Sequence, residues 1–283
     1  MQIKKLFYAN DNTNFGDILN VDIFKKFNID VEYASKKNSE LVAIGSLLDL
    51  YLCNKTEYLK RFRYKFYKPA IVWSTGFIKE EEHNQVLLRK LDVRGVRGYK
   101  TLNRLKNLAG VKFADKVSIG DGGLLISHFF DASNIKKKFS LGIIRHYIDE
   151  ETDILDKINI KDSTVIDIMQ KPEDFIQKVA ECDCIVSSAM HGLICADSLG
   201  IPNIRIIKNK LIGGNYKFED YYSAFGIENH NFIDLNNQTI TDKDLQYIYD
   251  NYNISREKVK EIQTTLLETF PYESDITVTE ISN

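Results

Sequence analysis

Val186–Pro202 reads V-S-S-A-M-H-G-L-I-C-A-D-S-L-G-I-P, and this stretch decides the fold class. The apolar approach Cys184-Ile185-Val186 has the composition of a buried strand. An apolar helix follows the His-Gly step and stops at Gly200, with Pro202 just beyond. Glycine after the last turn and proline soon afterwards form a strong stop signal. Ser187, Ser188 and His191 therefore fall where the carboxyl end of a strand meets the amino end of a helix. Ligands of open α/β sheets bind at such junctions, and helix N-terminal N–H groups favour anions there. The stretch is expected to form an anion site in an enzyme.

Outward from it, the same rhythm recurs on both sides. Lys5–Ala9 is an expected first strand, followed by the polar loop N-D-N-T-N at residues 10–14. A helix is expected over Asp17–Phe27, from the period of Ile18, Val21, Phe24 and Phe27. Leu41–Ile44 runs into Gly45-Ser46 and Ala70–Trp73 into Ser74-Thr75-Gly76, while Val117–Ile119 leads to Gly120-Asp121-Gly122-Gly123. Strands are also expected at Phe139–Ile144, Thr164–Ile168 and Asn203–Ile207, with a helix at Pro172–Ala180. Strand, glycine-containing turn and helix repeating at about 30 residues is the pattern of βαβ units and parallel sheets. The polar run Asp131–Lys138 is the natural linker, placing one Rossmann-like half at 1–131 and a second at 132–283. The expected architecture is α/β, with the ligand cleft between the halves. Thr241–Asn251 and Ser255–Thr269 are expected as amphipathic helices, the second with Ser255 as a plain N-cap, free to pack back on the first half.

Composition narrows the class further. A chain of 283 residues with 43% hydrophobic and 28% charged residues is an ordinary globular protein. The net charge of −2 argues against a strong nucleic-acid binder. No apolar run approaches the roughly 20 residues of a membrane span, and the basic-then-apolar N-terminus is too short for a signal peptide. The expected compartment is the cytoplasm. The four cysteines make no disulfide framework, and Cys182-x-Cys184 without a second pair argues for core thiols rather than a metal site. Phosphate-loop, H-E-x-x-H and G-x-G-x-x-G patterns are absent. That argues against a P-loop hydrolase, a zincin and a standard dinucleotide dehydrogenase.

Several side chains are equipped for chemistry. His191 at a helix start has its pKa lowered by the helix terminus and raised again by a bound phosphate, which suits a substrate-loaded proton donor. The alternative is a structural histidine. Arg145 and His146 end the first strand of the second half, but neighbours on a strand face opposite ways, so the two line one cleft only beyond the strand's end. His146 is the preferred of the two. Asn14-Phe15-Gly16-Asp17 forms a hinge in which Gly16 permits close backbone approach, and Asp17 either caps the helix or meets substrate. Asp121 lies in a turn that by itself accounts for an aspartate. Arg94 and Arg97 flank small residues and are alternatively surface or ion-paired groups. Gly213–Tyr222 has the composition of a mobile loop carrying Lys217 as a point charge, or of a plain surface loop. His83, His128 and His230 have no partners in sequence and are read as structural.

Taken in order, these pieces resemble the polysaccharide pyruvyltransferase family, in its exopolysaccharide branch. They are N-F-G-D at Asn14–Asp17, G-S-L-L at Gly45–Leu48, V-W-S-T-G-F at Val72–Phe77 and V-R-G-Y-K-T at Val96–Thr101. G-D-G-G-L-L at Gly120–Leu125, I-I-R-H-Y-I-D at Ile143–Asp149, the Ser187–Pro202 stretch and K-F-E-D-Y-Y at Lys217–Tyr222 complete the set. The resemblance implies a two-domain glycosyltransferase-B-like fold, with the first half on the acceptor side and the second on the donor side. It also implies phosphoenolpyruvate as donor and a pyruvate ketal on two hydroxyls of a sugar as product, with phosphate released.

Carried over by motif, the S-x-x-H-G histidine is His191, the R-G-x-x-T arginine is Arg97 and the strand-end histidine is His146. Family members often have arginine where this chain has Met190, proline where it has Arg145 and Pro-Ala where it has Gly122-Gly123. The missing positive charge is then sought at Arg97, Arg145 and Lys217. The expected assignment has His191, His146 and Asp17 as catalytic groups. Arg97, Arg145, Lys217, Ser187, Ser188 and Gly192 are placed around the donor, and Asn14, Gly16 and Asp121 around the acceptor. No cofactor or metal is required. The acceptor would be a lipid-linked oligosaccharide at the inner face of the membrane, reached with at most peripheral contact. The rival readings are a nucleotide-sugar glycosyltransferase of the same fold and a non-catalytic sugar- or phosphate-binding protein.

Overall fold

A computed structural model of the chain describes residues 3–10, 14–209 and 212–273; residues 11–13 of the expected N-D-N-T-N loop lie outside the described residues. The apolar segments form two parallel sheets. The first contains β1 (Lys4–Phe7), β2 (Val31–Tyr33), β3 (Leu41–Val42), β4 (Ala70–Val72), β5 (Leu91–Val96) and β6 (Val111–Ile119), in the order β2-β1-β3-β4-β5-β6. The second contains β7 (Phe139–Ile144), β8 (Ser163–Val165), β9 (Cys182–Ser187), β10 (Asn203–Ile207) and β11 (Phe232–Asp234), in the order β8-β7-β9-β10-β11. Each sheet winds outward in two directions from its first strand. The order therefore reverses between β1 and β3 in one sheet and between β7 and β9 in the other, and a crevice opens at the carboxyl ends there.

Helices cover both faces, which is why the central strands are apolar on both sides: Ile185 and Val186 of β9 are fully buried. The main helices are α1 (Phe15–Lys26), α2 (Tyr99–Lys106), α3 (Pro172–Ala180), α4 (Met190–Leu199), α5 (Tyr216–Ser223), α6 (Asp242–Asp250) and α7 (Arg256–Glu268). Helix α4 is apolar nearly all round because it is packed on every side, with His191 and Leu199 its only residues that are not buried. It stops as its sequence dictates. Gly200 turns left-handed at φ 66°, and the N–H of Ile201 closes back on the carbonyl of Ala196 at 2.8 Å.

One buried cluster serves both sheets. It takes Leu6, Leu19, Phe24 and Trp73 from the first half and Ile144, Phe175, Ile185 and Leu193 from the second. The rings of Phe15 and Phe175 stack across the join with centroids 4.2 Å apart, and the Phe15 N–H donates to the Ile168 carbonyl at 2.8 Å. Helix α7 returns to the first sheet, where Trp73 Nε1 donates to the Leu266 carbonyl at 3.3 Å and Thr269 Oγ1 meets Ser118 Oγ at 2.7 Å.

Several local expectations are corrected. Residues 216–223 are a helix with Lys217, Phe218, Asp220 and Tyr221 buried, not a mobile loop, because partners distant in sequence bury those polar groups. Strand β6 begins six residues earlier than Val117, and β8 ends at Val165 rather than Ile168. The short edge strands β2 and β11 carry little periodic signal and escape sequence reading. Helix α6 has a full capping box between Thr241 and Asp244, whereas Ser255 caps α7 through the Lys258 N–H alone.

Candidate active site

The two crevices face each other, and Gly16 and His191 are where they meet. A Cβ on Gly16 would stand 2.0 Å from His191 Nδ1, so the imidazole lies flat against the first turn of α1 and only glycine fits. Burial pushes the His191 pKa down to about 3, with Lys217, Arg97 and His146 adding to the shift. The ring is therefore neutral at pH 7, and its buried Nε2 has no partner among the described residues.

His146 follows β7 on the other side of the second switch point. Burial lowers it to about 4, Lys217 lowers it further, and Asp149 opposes both. Its position is set by the Ser-Ser pair. Ser188 Oγ accepts the His146 N–H at 2.8 Å and donates to Asp149 Oδ2 at 2.6 Å, while Asn209 holds the other oxygen at 3.0 Å. Ser187 Oγ serves the turn into α4, donating to the Ala189 carbonyl at 2.8 Å. A Cβ on Gly192 would come within 2.5 Å of that oxygen, so Gly192 lets the helix approach the strand. Arg145 and His146 both lie beyond the end of β7, yet Arg145 turns away from the site, to the Asp149 carbonyl at 2.7 Å and to Glu151 at 3.5 Å.

The cation whose charge reaches both imidazoles is Lys217. It is 9% exposed, and among the described residues its ammonium has neither hydrogen bond nor ion pair, only the Phe218 ring 5.3 Å away. Burial lowers its pKa to about 8, helped by Arg97 and Arg205 and opposed by Asp149. It stays mostly protonated at neutral pH. Arg97 stands behind it, fully buried. Its guanidinium donates to Asp220 at 2.9 Å, to Ser46 Oγ at 2.6 Å and to the Phe77 carbonyl at 2.6 Å.

The same Asp220 accepts from the Thr101 N–H at 2.7 Å and its hydroxyl at 2.8 Å. A Cβ on Gly98 would sit 1.7 Å from the Asp220 carbonyl oxygen. Arg97, Gly98 and Thr101 thus explain the R-G-x-x-T pattern physically: together they grip the helix that carries Lys217. Arg94 lies apart, bound to the Pro271 carbonyl at 3.1 Å.

The first half supplies carboxylates. Asn14 caps α1 and its amide holds the Asp17 carboxyl, which burial raises to about 7. Asp121 is fully buried and raised to about 6, with burial outweighing the Gly123 N–H at 2.9 Å and the charge of Arg97. Among the described residues its second oxygen has no partner, and neither do Ser74 Oγ and Asn20 Oδ1 nearby. Gly122 connects them: its Cβ would meet Ser74 Oγ at 2.8 Å and Ile44, whose carbonyl accepts from Asn20, at 3.0 Å. Ser74 also holds a left-handed φ of 63° at the end of β4. Unpaired buried polar atoms and a left-handed serine thus gather at the carboxyl end of the first sheet, where a polar ligand could satisfy them.

Asp149, Asp220, Ser74 and Asn20 are missed by sequence reading. All but Asn20 lie inside the motifs that carry the family resemblance, so the signal was present. A separate cavity of about 750 Å³ at the far end of α4, lined by His128, Lys137, Gly200 and Arg256 among others, contains none of the site residues. All four cysteines are free and buried. Among the described residues no helix is long and apolar enough to cross a membrane, and no cluster of three or more His, Cys, Asp or Glu could hold a metal.

This geometry coincides with sequence similarity. An uncharacterized protein of Acanthamoeba polyphaga mimivirus is 32% identical over 167 residues, covering 57% of this chain and 56% of the viral protein. The succinoglycan biosynthesis protein ExoV of Rhizobium meliloti is 22% identical over 229 residues, covering 80% of this chain and 66% of ExoV. The chain thus matches between about half and two thirds of the length of these relatives. An uncharacterized Klebsiella pneumoniae protein of known structure superposes with a TM-score of 0.44 at 13% identity, over 77% of this chain and 86% of its own. A family model described as polysaccharide pyruvyl transferase matches residues 4–209, a span that holds both sheet crevices and both site histidines, and the chain belongs to that family.

Proposed function

We propose that the protein transfers the pyruvyl group of phosphoenolpyruvate to two hydroxyls of a sugar, forming a cyclic ketal and releasing phosphate. The acceptor is a lipid-linked oligosaccharide or polysaccharide at the inner face of the membrane, and the two facing sheets act in the manner of a glycosyltransferase-B enzyme. The observation that carries the reading is the pair of neutral imidazoles, His191 and His146, both in the field of the Lys217 ammonium, which is unpaired among the described residues. The family supports pyruvyl transfer to a polysaccharide.

The donor is an enol phosphate carrying up to three negative charges. Lys217 supplies the direct counter-charge, and the field of Arg97 and the amino end of α4 reinforce it. An anion beside His191 raises the imidazole's pKa from its depressed value, so the ring gains a proton as the donor binds. That proton passes to C3 of the donor, and C2 becomes oxocarbenium-like. The first sugar hydroxyl adds at C2 and loses its proton. The C2–O bond to phosphate then breaks, and the second hydroxyl closes the ketal. Of the two hydroxyl protons lost, one balances the proton spent at C3 and the other leaves with phosphate.

A base for the hydroxyls must titrate near neutrality. Asp17, at about 7, and Asp121, at about 6, both do. His146 is the second donor-side group, held by Ser188. The test is phosphate release from phosphoenolpyruvate with lipid-linked galactose, mannose and glucose acceptors, with the ketal methyl of the product detected by NMR. Thermal stabilisation by a nucleotide sugar and none by phosphoenolpyruvate would overturn the proposal.

A further inference from the structure

Residues 55–68 read K-T-E-Y-L-K-R-F-R-Y-K-F-Y-K, six cations against the single carboxylate of Glu57. The helix Tyr58–Tyr64 within them turns its apolar stripe outward. Leu59 is 80% exposed, Phe62 62% and Phe66 80%. Leu59 and Phe62 share one face of the helix by their spacing of three, and Phe66, two residues past its end, joins them, its ring meeting Phe62 edge-on with centroids 6.0 Å apart.

The inner side is anchored. Tyr64 and Tyr67 are half-buried and in contact at 6.0 Å, and the Lys37 ammonium lies 5.3 Å from the Tyr67 ring. Arg89 ties the Lys68 carbonyl, at 2.6 Å, to those of Lys36 and Ser39 at 3.1 and 2.8 Å. The stripe therefore belongs to a fixed surface. Ordinary amphipathic helices bury such a stripe in the core. An exposed aromatic stripe flanked by cations matches the physics of an interfacial helix: rings enter the headgroup region and cations meet lipid phosphates. A second copy of the same patch would set like charges against one another.

We propose that residues 55–68 dock the protein onto an anionic lipid surface, with Leu59, Phe62 and Phe66 inserting and Lys60, Arg61, Arg63 and Lys65 contacting phosphates. The inference rests on these surface residues alone and is independent of the reaction proposed above. The test is sedimentation of the full chain with vesicles of phosphatidylglycerol and phosphatidylcholine in equal parts, and with phosphatidylcholine alone. Binding is expected to the mixed vesicles only, and to be lost as salt rises from about 0.1 to about 1 M, where the screening length falls from about 10 to about 3 Å.

Leu59→Ser/Phe62→Ser/Phe66→Ser and Lys60→Glu/Arg61→Glu/Arg63→Glu should each weaken binding about tenfold or more, with the melting temperature kept. The two variants separate a membrane from a polyanion such as nucleic acid, which would need the cations but not the rings. Absence of binding to mixed vesicles, equal binding to neutral ones, or full binding by the Leu59/Phe62/Phe66 variant would overturn the proposal. So would a wild-type dimer, seen by light scattering, that the same variant dissolves.

Discussion

Gly16→Ala tests the site through a methyl group. The new Cβ would stand 2.0 Å from His191 Nδ1, whereas ordinary contact begins at 3.4 Å, so the ring must retreat by about 1.4 Å or α1 must shift. On helix propensity alone the change stabilises by about 1 kcal/mol, because Gly16 lies within α1. Overpacking opposes this with about 1–3 kcal/mol, so net stability falls by no more than about 2 kcal/mol. The catalytic effect is larger: a group displaced by about 1 Å loses about 10²-fold in rate. The assay is phosphate release from phosphoenolpyruvate with a saccharide acceptor, beside denaturant unfolding. The expected result is a fall in kcat of about a hundredfold with a small stability change. In a His191→Ala background the same substitution should do nothing further, since the ring it displaces is gone. If Gly16→Ala keeps wild-type kcat, or costs the same in the His191→Ala background, the reasoning about this contact is refuted.

Four other outcomes follow from the same geometry. Lys217→Met should raise the KM for donor about 10–100-fold, as loss of one charge-assisted contact requires, yet raise the melting temperature by removing a buried unpaired ammonium. Its wild-type counterpart should lose donor affinity as pH rises through about 8, where Lys217 gives up its proton; a flat profile up to pH 10 would contradict this. Arg97→Met strands Asp220 among Thr101 and Gly98 and should cost about 3–5 kcal/mol by chemical denaturation. Arg97→Met/Asp220→Leu should recover much of that, and a single-variant loss below about 1 kcal/mol would show the pair to be slack. Finally, calorimetry in two buffers at pH 6.5 should show proton uptake when phosphoenolpyruvate binds, because a neutral His191 with a pKa near 3 is raised by the anion. His191→Asn should abolish that uptake.

The strands were legible wherever both faces are covered, since Ala70–Val72 and Cys184–Val186 then read as unbroken apolar runs. His191 and His146 were legible as well, because their place follows from where a strand ends. Helix α5 was not. Lys217, Glu219 and Asp220 give it the composition of a loop, and it is buried only because Arg97, 123 residues earlier, meets Asp220. Periodicity carries no trace of such a pairing. Arg145 was harder to place: β7 ends at Ile144, so strand alternation does not reach it, and the Asp149 carbonyl and Glu151 turn it aside. Ser74 stands in the V-W-S-T-G-F run, but its backbone was not legible there, because a left-handed φ on a serine is imposed by its surroundings.

The stack of Phe15 on Phe175 also bears on how the protein moves. A clamp that swings open between turnovers needs a seam that water can enter cheaply. Here the seam is the middle of the core, and wetting those two rings alone forfeits about 3–6 kcal/mol. Fewer than about one molecule in a hundred would gape at any instant on that account. Traffic must pass at the rim, where Tyr147 and Ile148 beside His146 are each 44% exposed. The two halves should also melt in one transition, neither outliving the other. Such a machine keeps its working parts aligned before the substrate arrives and admits it through a wicket rather than a gate.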